Sequence, residues 1–147
     1  MKQMAMKTWT MIITLSKDVM RIIADQDVVP FRNRVKECAV KIKMGLVNQT
    51  KLITAASELG RNMLKYANGG ETLIEIVTRG RDNGVRLTFK DKGPGIADLS
   101  LAMKDGYSTG KSLGLGLPGA KRLVNEFDIK SEPGKGTTVV VIKWANG

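Results

Sequence analysis

A chain of 147 residues, 42% hydrophobic and 26% charged, has the length and balance of one globular domain, and no apolar run reaches the roughly 18 residues a membrane-crossing helix needs. A formal charge of +10 calls for an anionic partner, a nucleotide, nucleic acid or acidic protein surface; two Trp, two Tyr and three Phe without a base-reading module argue against nucleic acid. With no histidine and one cysteine, imidazole chemistry, a zinc site and an internal disulfide are all excluded.

The elements follow in chain order. Residues 1–8 read as a loose start, and Trp9–Leu15 is too short and lacks the cleavage site of a signal peptide. Thr8–Leu15 is β-branched enough for an edge strand, and Val19–Ala24 reads as a second strand. Asp27 resembles an N-cap and Pro30 suits a first turn, while Phe31, Val35, Cys38, Ala39 and Ile42 recur at helical spacing; together they predict a helix over 28–44. Arg32, Arg34, Lys36, Lys41 and Lys43 lie mostly off that stripe and read as a solvated face, and Cys38 as a small buried apolar residue that suits a reducing cytoplasm.

A second helix is expected from about Asn48 to Ala67, buried through Leu52, Ala55, Ala56, Leu59, Met63 and Ala67 and ended by Asn68-Gly69-Gly70. Thr72–Thr78 and Val85–Phe89 alternate as strands, with Asp82-Asn83-Gly84 as the hairpin turn. Residues 91–116 are glycine-rich and aperiodic, Leu117–Phe127 reads as a helix, and Ile129–Ser131 and Thr137–Trp144 read as strands joined through Pro133-Gly134-Lys135-Gly136. This order implies a mostly antiparallel sheet with helices on one face.

Four stretches carry chemistry. Glu58 and Asn62 are four apart on a helix, so a carboxylate and an amide share a face; they can orient a hydroxyl and ligate Mg²⁺, although a solvated polar face is the commoner meaning of such a pair. Asp91-Lys92-Gly93-Pro94-Gly95-Ile96 follows a strand. Its carboxylate can accept a bond from an adenine amino group and its glycines admit a ring, whereas Gly-Pro-Gly alone would suggest a turn. Gly110-Lys111-Ser112-Leu113-Gly114-Leu115-Gly116 leads into a helix, where backbone N–H groups can hold phosphates; its spacing fits neither a P-loop nor a Rossmann turn. Gly134-Lys135-Gly136-Thr137 opens the last strand, and the Thr137 hydroxyl can reach an adenine edge or simply follow a hairpin.

In this order the four stretches resemble the boxes of the GHKL ATPases. Ser57–Asn62, Asp91–Ile96, Gly106–Thr109, Gly114–Leu123 and Ile142–Trp144 are similar to the switch serine/threonine kinases of the bacterial stressosome (RsbT type), relatives of the anti-sigma-factor serine kinases, over roughly Val19–Trp144. The resemblance implies an α/β two-layer (Bergerat) sandwich, with residues 1–18 an N-terminal extension and 19–147 the ATP-binding kinase domain. It implies Glu58 as general base on a protein hydroxyl and Asn62 as the Mg²⁺ ligand. Asp91, with Gly93, Gly95, Ile96 and Thr137, would bind adenine, and Gly110, Lys111, Gly114, Leu115 and Gly116 would form the phosphate lid. It further implies ATP and Mg²⁺ as cofactors, a STAS-domain antagonist protein as substrate, a phosphatase regulated by binding, and a cytoplasmic monomer or homodimer that binds neither nucleic acid nor membrane. Gly60 stands where Ala is common in the family, and Lys111-Ser112 where small residues are.

Three rivals remain. A histidine-kinase fragment would need a phosphoacceptor His that this chain lacks. A non-catalytic ATP-binding module that activates a partner enzyme is the alternative from another class. An ATPase driving conformational change, as in chaperones and topoisomerases, would need a transducer domain.

Overall fold

Alternating apolar side chains build the sheet, and two helical stripes cover one side of it. The computed structural model describes residues 11–104 and 116–147. Its elements are β1 (Ile13–Ile22), a 3₁₀ turn (Asp25–Asp27), α1 (Val28–Lys41), α2 (Leu46–Ala67), β2 (Gly70–Arg79), β3 (Asp82–Asp91), the short α3 (Leu99–Ala102), α4 (Gly116–Leu123), β4 (Glu126–Glu132) and β5 (Gly136–Trp144). The strands form one sheet in the order β1-β2-β3-β5-β4, and every pairing is antiparallel.

Ile74 pairs with Leu87, which pairs with Val141; Ile76 pairs with Val85, and Phe89 with Val139. These side chains share one face and form the core with Phe31, Val35 and Cys38 of α1, Leu52, Ala55, Ala56, Leu59 and Met63 of α2 and Ala120 of α4. Phe31 meets Phe89 edge to face at 5.6 Å between ring centroids, joining α1 to the central strand. Arg34 of α1 adds a polar tie, donating through Nε to Asp18 of β1 at 2.6 Å. Cys38 is buried, and that burial pushes its thiol pKa up, so it behaves as a core residue.

The opposite face is tied by polar side chains. Arg86 grips Glu75 with two bonds of 2.9 and 3.0 Å, and Thr14 donates to the same carboxylate at 3.0 Å. Arg79 and the Trp144 indole N–H both donate to Glu126, at 3.1 and 2.9 Å, and the Arg79 guanidinium lies 4.9 Å from the Trp144 ring.

Several boundaries differ from the sequence reading. The two expected N-terminal strands are one: β1 runs continuously with an irregularity between Thr14 and Ser16, and it passes through the position between residues 18 and 19 where extension and domain were divided. Residues 1–10 lie outside the described part. Asp27 does sit at the N-cap of α1, but its carboxylate turns back to accept the N–H groups of Ile23 and Ala24, at 2.9 and 3.0 Å. The α1 helix stops at Lys41 rather than 44, where Lys43 turns left-handed (φ 61°).

The β2–β3 turn is Gly80-Arg81, with Gly80 at φ 60° and Arg79 facing Asp82. Asp82-Asn83-Gly84 belongs to β3 instead. Gly84 is small because the Trp144 ring lies on it: a Cβ there would stand 2.6 Å from Trp144 Cε3. α4 ends at Leu123, not Phe127, because β5 recruits the chain that follows. Asn125 N–H donates to Ile142 O (2.9 Å), its side-chain oxygen accepts from Trp144 N–H (2.8 Å), and Phe127 pairs with Val141. A tertiary partner here outweighs local helical spacing.

The Arg86 guanidinium, followed by burial acting in the opposite sense and the Thr14 hydroxyl, leaves the Glu75 pKa below its ordinary 4.5. A carboxylate depressed in the folded state contributes stability above its unfolded pKa and loses that contribution as pH falls through the folded one. Glu75→Gln is therefore expected to lower stability at pH 7 by about 1.5–3 kcal/mol and to flatten the acid limb below pH 4.5. Urea melts from pH 7 to 2.5 check this; parallel acid limbs for the two proteins would contradict it.

Candidate active site

The end of α2 sets the site. Asn68 adopts a left-handed conformation (φ 59°), and N–H groups of Asn68 and Gly69 return to Leu64 O and Met63 O, each at 3.1 Å. The two glycines that follow press against backbone: a Cβ on Gly69 would lie 2.4 Å from Ile22 O, and one on Gly70 2.4 Å from Lys90 O. The C-terminal end of α2 is thereby seated against the ends of β1 and β3. Glu58 and Asn62 lie one turn apart along this helix, on the border between its buried stripe and its exposed side, and both are half-buried. Among the described residues neither side chain has a hydrogen-bond or ion-pair partner. Gly60 between them is buried, and an alanine Cβ there would sit 3.3 Å from the end of the Ile22 side chain.

At the last position of β3, Asp91 is half-buried, and its two oxygens have different surroundings. Oδ1 accepts two backbone N–H groups, from Gly93 at 2.9 Å and Thr137 at 3.2 Å. Oδ2 has no partner among the described residues. Three glycines let the surrounding backbones close in. A Cβ on Gly93 would stand 2.5 Å from the Ala67 Cβ, one on Gly95 (φ 75°) 2.2 Å from Glu132 O, and one on Gly136 (φ 105°) 2.1 Å from Asp91 O. No other residue type fits these positions without moving backbone. The Gly134 N–H also donates to Pro94 O at 2.7 Å, clasping the loop after β3 to the β4–β5 turn.

One residue in this clasp escaped the sequence reading. Ser131 of β4 faces Thr137 across the β4–β5 ladder. Its Oγ accepts the Ile96 N–H at 2.7 Å, donates to Gly136 O at 3.2 Å and lies 2.7 Å from Thr137 Oγ1. The sequence holds only a serine in a short strand; register alone reveals its neighbours.

The structure thus brings Asp91, Gly93, Gly95, Ile96 and Thr137 into one cluster and seats it against the end of the helix that carries Glu58 and Asn62. By helical rise, Asn62 and Glu58 lie about 7.5 and 13.5 Å along α2 from Ala67, the residue against which Gly93 lies. Gly116 opens α4 at φ 67°, and α4 packs on α2. Gly106–Thr109, Gly110, Lys111, Gly114 and Leu115 lie outside the described residues.

The cluster can take a ligand bearing an N–H donor: Asp91 Oδ2 supplies a free acceptor on a carboxylate that two backbone bonds to Oδ1 hold in place. The described residues contain no group of three or more His, Cys, Asp or Glu able to hold a metal ion. A divalent cation at Asn62 would then take most of its ligands from phosphate oxygens and water, as Mg²⁺ commonly does. Among the described residues, no helix is long and apolar enough to cross a membrane.

Comparison with known proteins bears on the family and the fold. Residues 47–146 match the family described as histidine kinase-, DNA gyrase B-, and HSP90-like ATPases. The chain is 42% identical over 124 residues to the serine/threonine-protein kinase RsbT of Bacillus subtilis (strain 168), covering 84% of this chain and 93% of that protein. It is 32% identical over 100 residues to the anti-sigma F factor of Geobacillus sp. (strain WCH70), covering 65% and 68% of the two chains. Among solved structures, the RsbU and RsbW domains of Rv1364c from Mycobacterium tuberculosis superpose with a TM-score of 0.61 at 18% identity. That match spans 87% of this chain and 32% of the other, and it bears on the fold alone. The sheet with its covering helices and these likenesses together place the chain in the histidine kinase-, DNA gyrase B- and HSP90-like ATPase family, on the branch of the RsbT-type serine/threonine kinases.

Proposed function

We propose that this chain is an ATP-dependent serine/threonine protein kinase that phosphorylates a STAS-domain antagonist protein in a cytoplasmic partner-switching pathway and also binds and activates a phosphatase. The observation that carries the nucleotide reading is the divided carboxylate of Asp91. Oδ1 is occupied by two backbone N–H groups, and Oδ2 has no partner among the described residues, beside glycines that let the neighbouring backbones close in. In this reading Oδ2 would accept a hydrogen bond from the adenine amino group, and Asn62 would hold the Mg²⁺ that neutralises phosphate charge. Mg-ATP supplies the transferable phosphoryl group. Glu58 accepts the proton of the substrate hydroxyl as its oxygen bonds to phosphorus and the bond to the leaving ADP oxygen breaks. Glycines 110, 114 and 116, with Lys111 and Leu115, would cover the phosphates. Catalysis of this kind rests mainly on positioning and charge neutralisation.

Asparagine at position 91 can keep both backbone bonds on its oxygen while presenting an N–H₂ group where Oδ2 stood. Asp91→Asn should therefore fold normally and lose about 10- to 100-fold in ATP affinity, the cost of a charge-assisted bond turned into a donor–donor contact. Calorimetric titration with ATP reads this directly, and equal affinities would remove Asp91 from the site.

Binding and chemistry separate on α2. Glu58→Gln should retain most ATP affinity and lose about 10²–10⁴-fold in phosphate transfer, whereas Asn62→Ala should lose both, and the loss of binding should vanish when Mg²⁺ is omitted. Transfer from labelled ATP to a STAS-domain protein, run beside nucleotide titration, tests the assignment. A Glu58→Gln protein of normal rate would refute the base.

Phosphorylating the substrate adds charge and acceptor oxygens at the contact, which should release the kinase to its other partner. With the substrate protein immobilised and this chain bound, Mg-ATP should elute the chain and a non-hydrolysable analogue should not. Retention in both cases, with the substrate fully phosphorylated, would leave a kinase without the switch.

A further inference from the structure

Ser131 lies outside the sequence stretches that carry the nucleotide reading, yet two of them, 91–96 and 134–137, meet on its hydroxyl. Its Oγ is 2.7 Å from the Ile96 nitrogen in the loop after β3, and 3.2 Å from Gly136 O and 2.7 Å from Thr137 Oγ1 at the start of β5. A serine hydroxyl has one proton and two lone pairs. The Ile96 N–H takes one lone pair. When the Ser131 proton goes to Gly136 O, the remaining contact can only be a bond that Thr137 donates to the second lone pair. All three contacts are then satisfied with nothing left over. The reverse arrangement, with Ser131 donating to Thr137, leaves the Gly136 contact without a proton.

We propose that Ser131 is a positioning residue for base recognition: it holds the Thr137 hydroxyl proton, so that Thr137 presents only lone pairs beside Asp91 Oδ2 and the pocket selects a 6-amino over a 6-oxo purine. This rests on the reading of Asp91 and Thr137 as an adenine site. Thr137 is itself fixed beside that carboxylate, since its N–H donates to Asp91 Oδ1 at 3.2 Å. Two neighbouring acceptors welcome the N–H donors of a 6-amino group and set lone pair against lone pair for a 6-oxo group. Removing the Ser131 hydroxyl frees the Thr137 proton to turn outward, where it can donate to the oxo group. The same deletion releases the Ile96 N–H, so some loss of affinity for both nucleotides accompanies it. The ratio between them is what a purely structural role would leave unchanged.

The test uses ATP and ITP, which share ribose and triphosphate and differ at the 6-position and N1 of the base. The full chain is titrated with each in Mg²⁺ buffer. Wild type should prefer ATP. Ser131→Ala should narrow the ATP-to-ITP affinity ratio by about tenfold, the worth of one well-placed hydrogen bond. Ser131→Thr, which keeps the hydroxyl and suits a strand, should restore the wild-type ratio. A ratio unchanged in Ser131→Ala, even with both affinities lowered, overturns the proposal while leaving the adenine site standing; so does a Ser131→Thr protein no more selective than the alanine variant. Failure of the underlying reading looks different: wild type itself then binds neither nucleotide, and both proposals fall together.

Discussion

Three lengths of backbone meet at the end of β3 more closely than any side chain would permit, and the Asp91 carboxylate bonds two of them through a single oxygen. Gly93 lies against the last residue of α2, Gly95 against Glu132 at the end of β4, and Gly136 against Asp91 itself. Close approach alone would leave N–H groups facing one another without acceptors. Asp91 Oδ1 accepts two of these, and Ser131 Oγ accepts a third. The arrangement defines a wall with little freedom, and it leaves Oδ2 without a partner among the described residues.

The rest of the fold serves to bring these pieces to one place. The aromatic contact of Phe31 with Phe89 and the rows Ile74–Leu87–Val141 and Ile76–Val85 hold the sheet under the helices. The left-handed turn at Asn68 and the glycines after it seat α2 on the end of β3. On the other face, Glu75–Arg86 and Arg79–Glu126–Trp144 tie strands that no helix covers among the described residues. A polar lattice of this kind fixes register through directional bonds, where an apolar face would leave it to packing alone. Register in turn decides whether Ser131 meets Thr137, so the distant lattice and the site are linked through the strands they share.

The long helix was legible because its signals are local: a stripe of apolar residues at helical spacing, a terminal Asn-Gly-Gly, and a Glu and an Asn one turn apart. The hairpin turn was not, because Gly84 looks like a turn glycine but is small for the sake of the Trp144 ring, a contact between residues 60 positions apart in the chain. The end of α4 was missed for a similar reason. Asn125, Glu126 and Phe127 continue a helical spacing, yet their bonds go to β5 and Arg79. The two N-terminal strand signals merged because one irregularity between Thr14 and Ser16 interrupts the alternation without interrupting the pairing.

By itself the sequence determined which chemical groups are available and which backbone positions are free of side chains. Both are properties of single residues and of short spacings: a carboxylate after a strand, glycines two apart beside it, a Glu and an Asn on one helix face. Only the tertiary structure decided how those groups are shared. Asp91 Oδ1 rather than Oδ2 receives the backbone bonds, Ser131 stands between the loop after β3 and the start of β5, and Gly136 lies under Asp91 because strands far apart in sequence pair in one register. A hydrogen bond depends on distance and direction between its partners, and for groups on different strands neither exists until the sheet has formed.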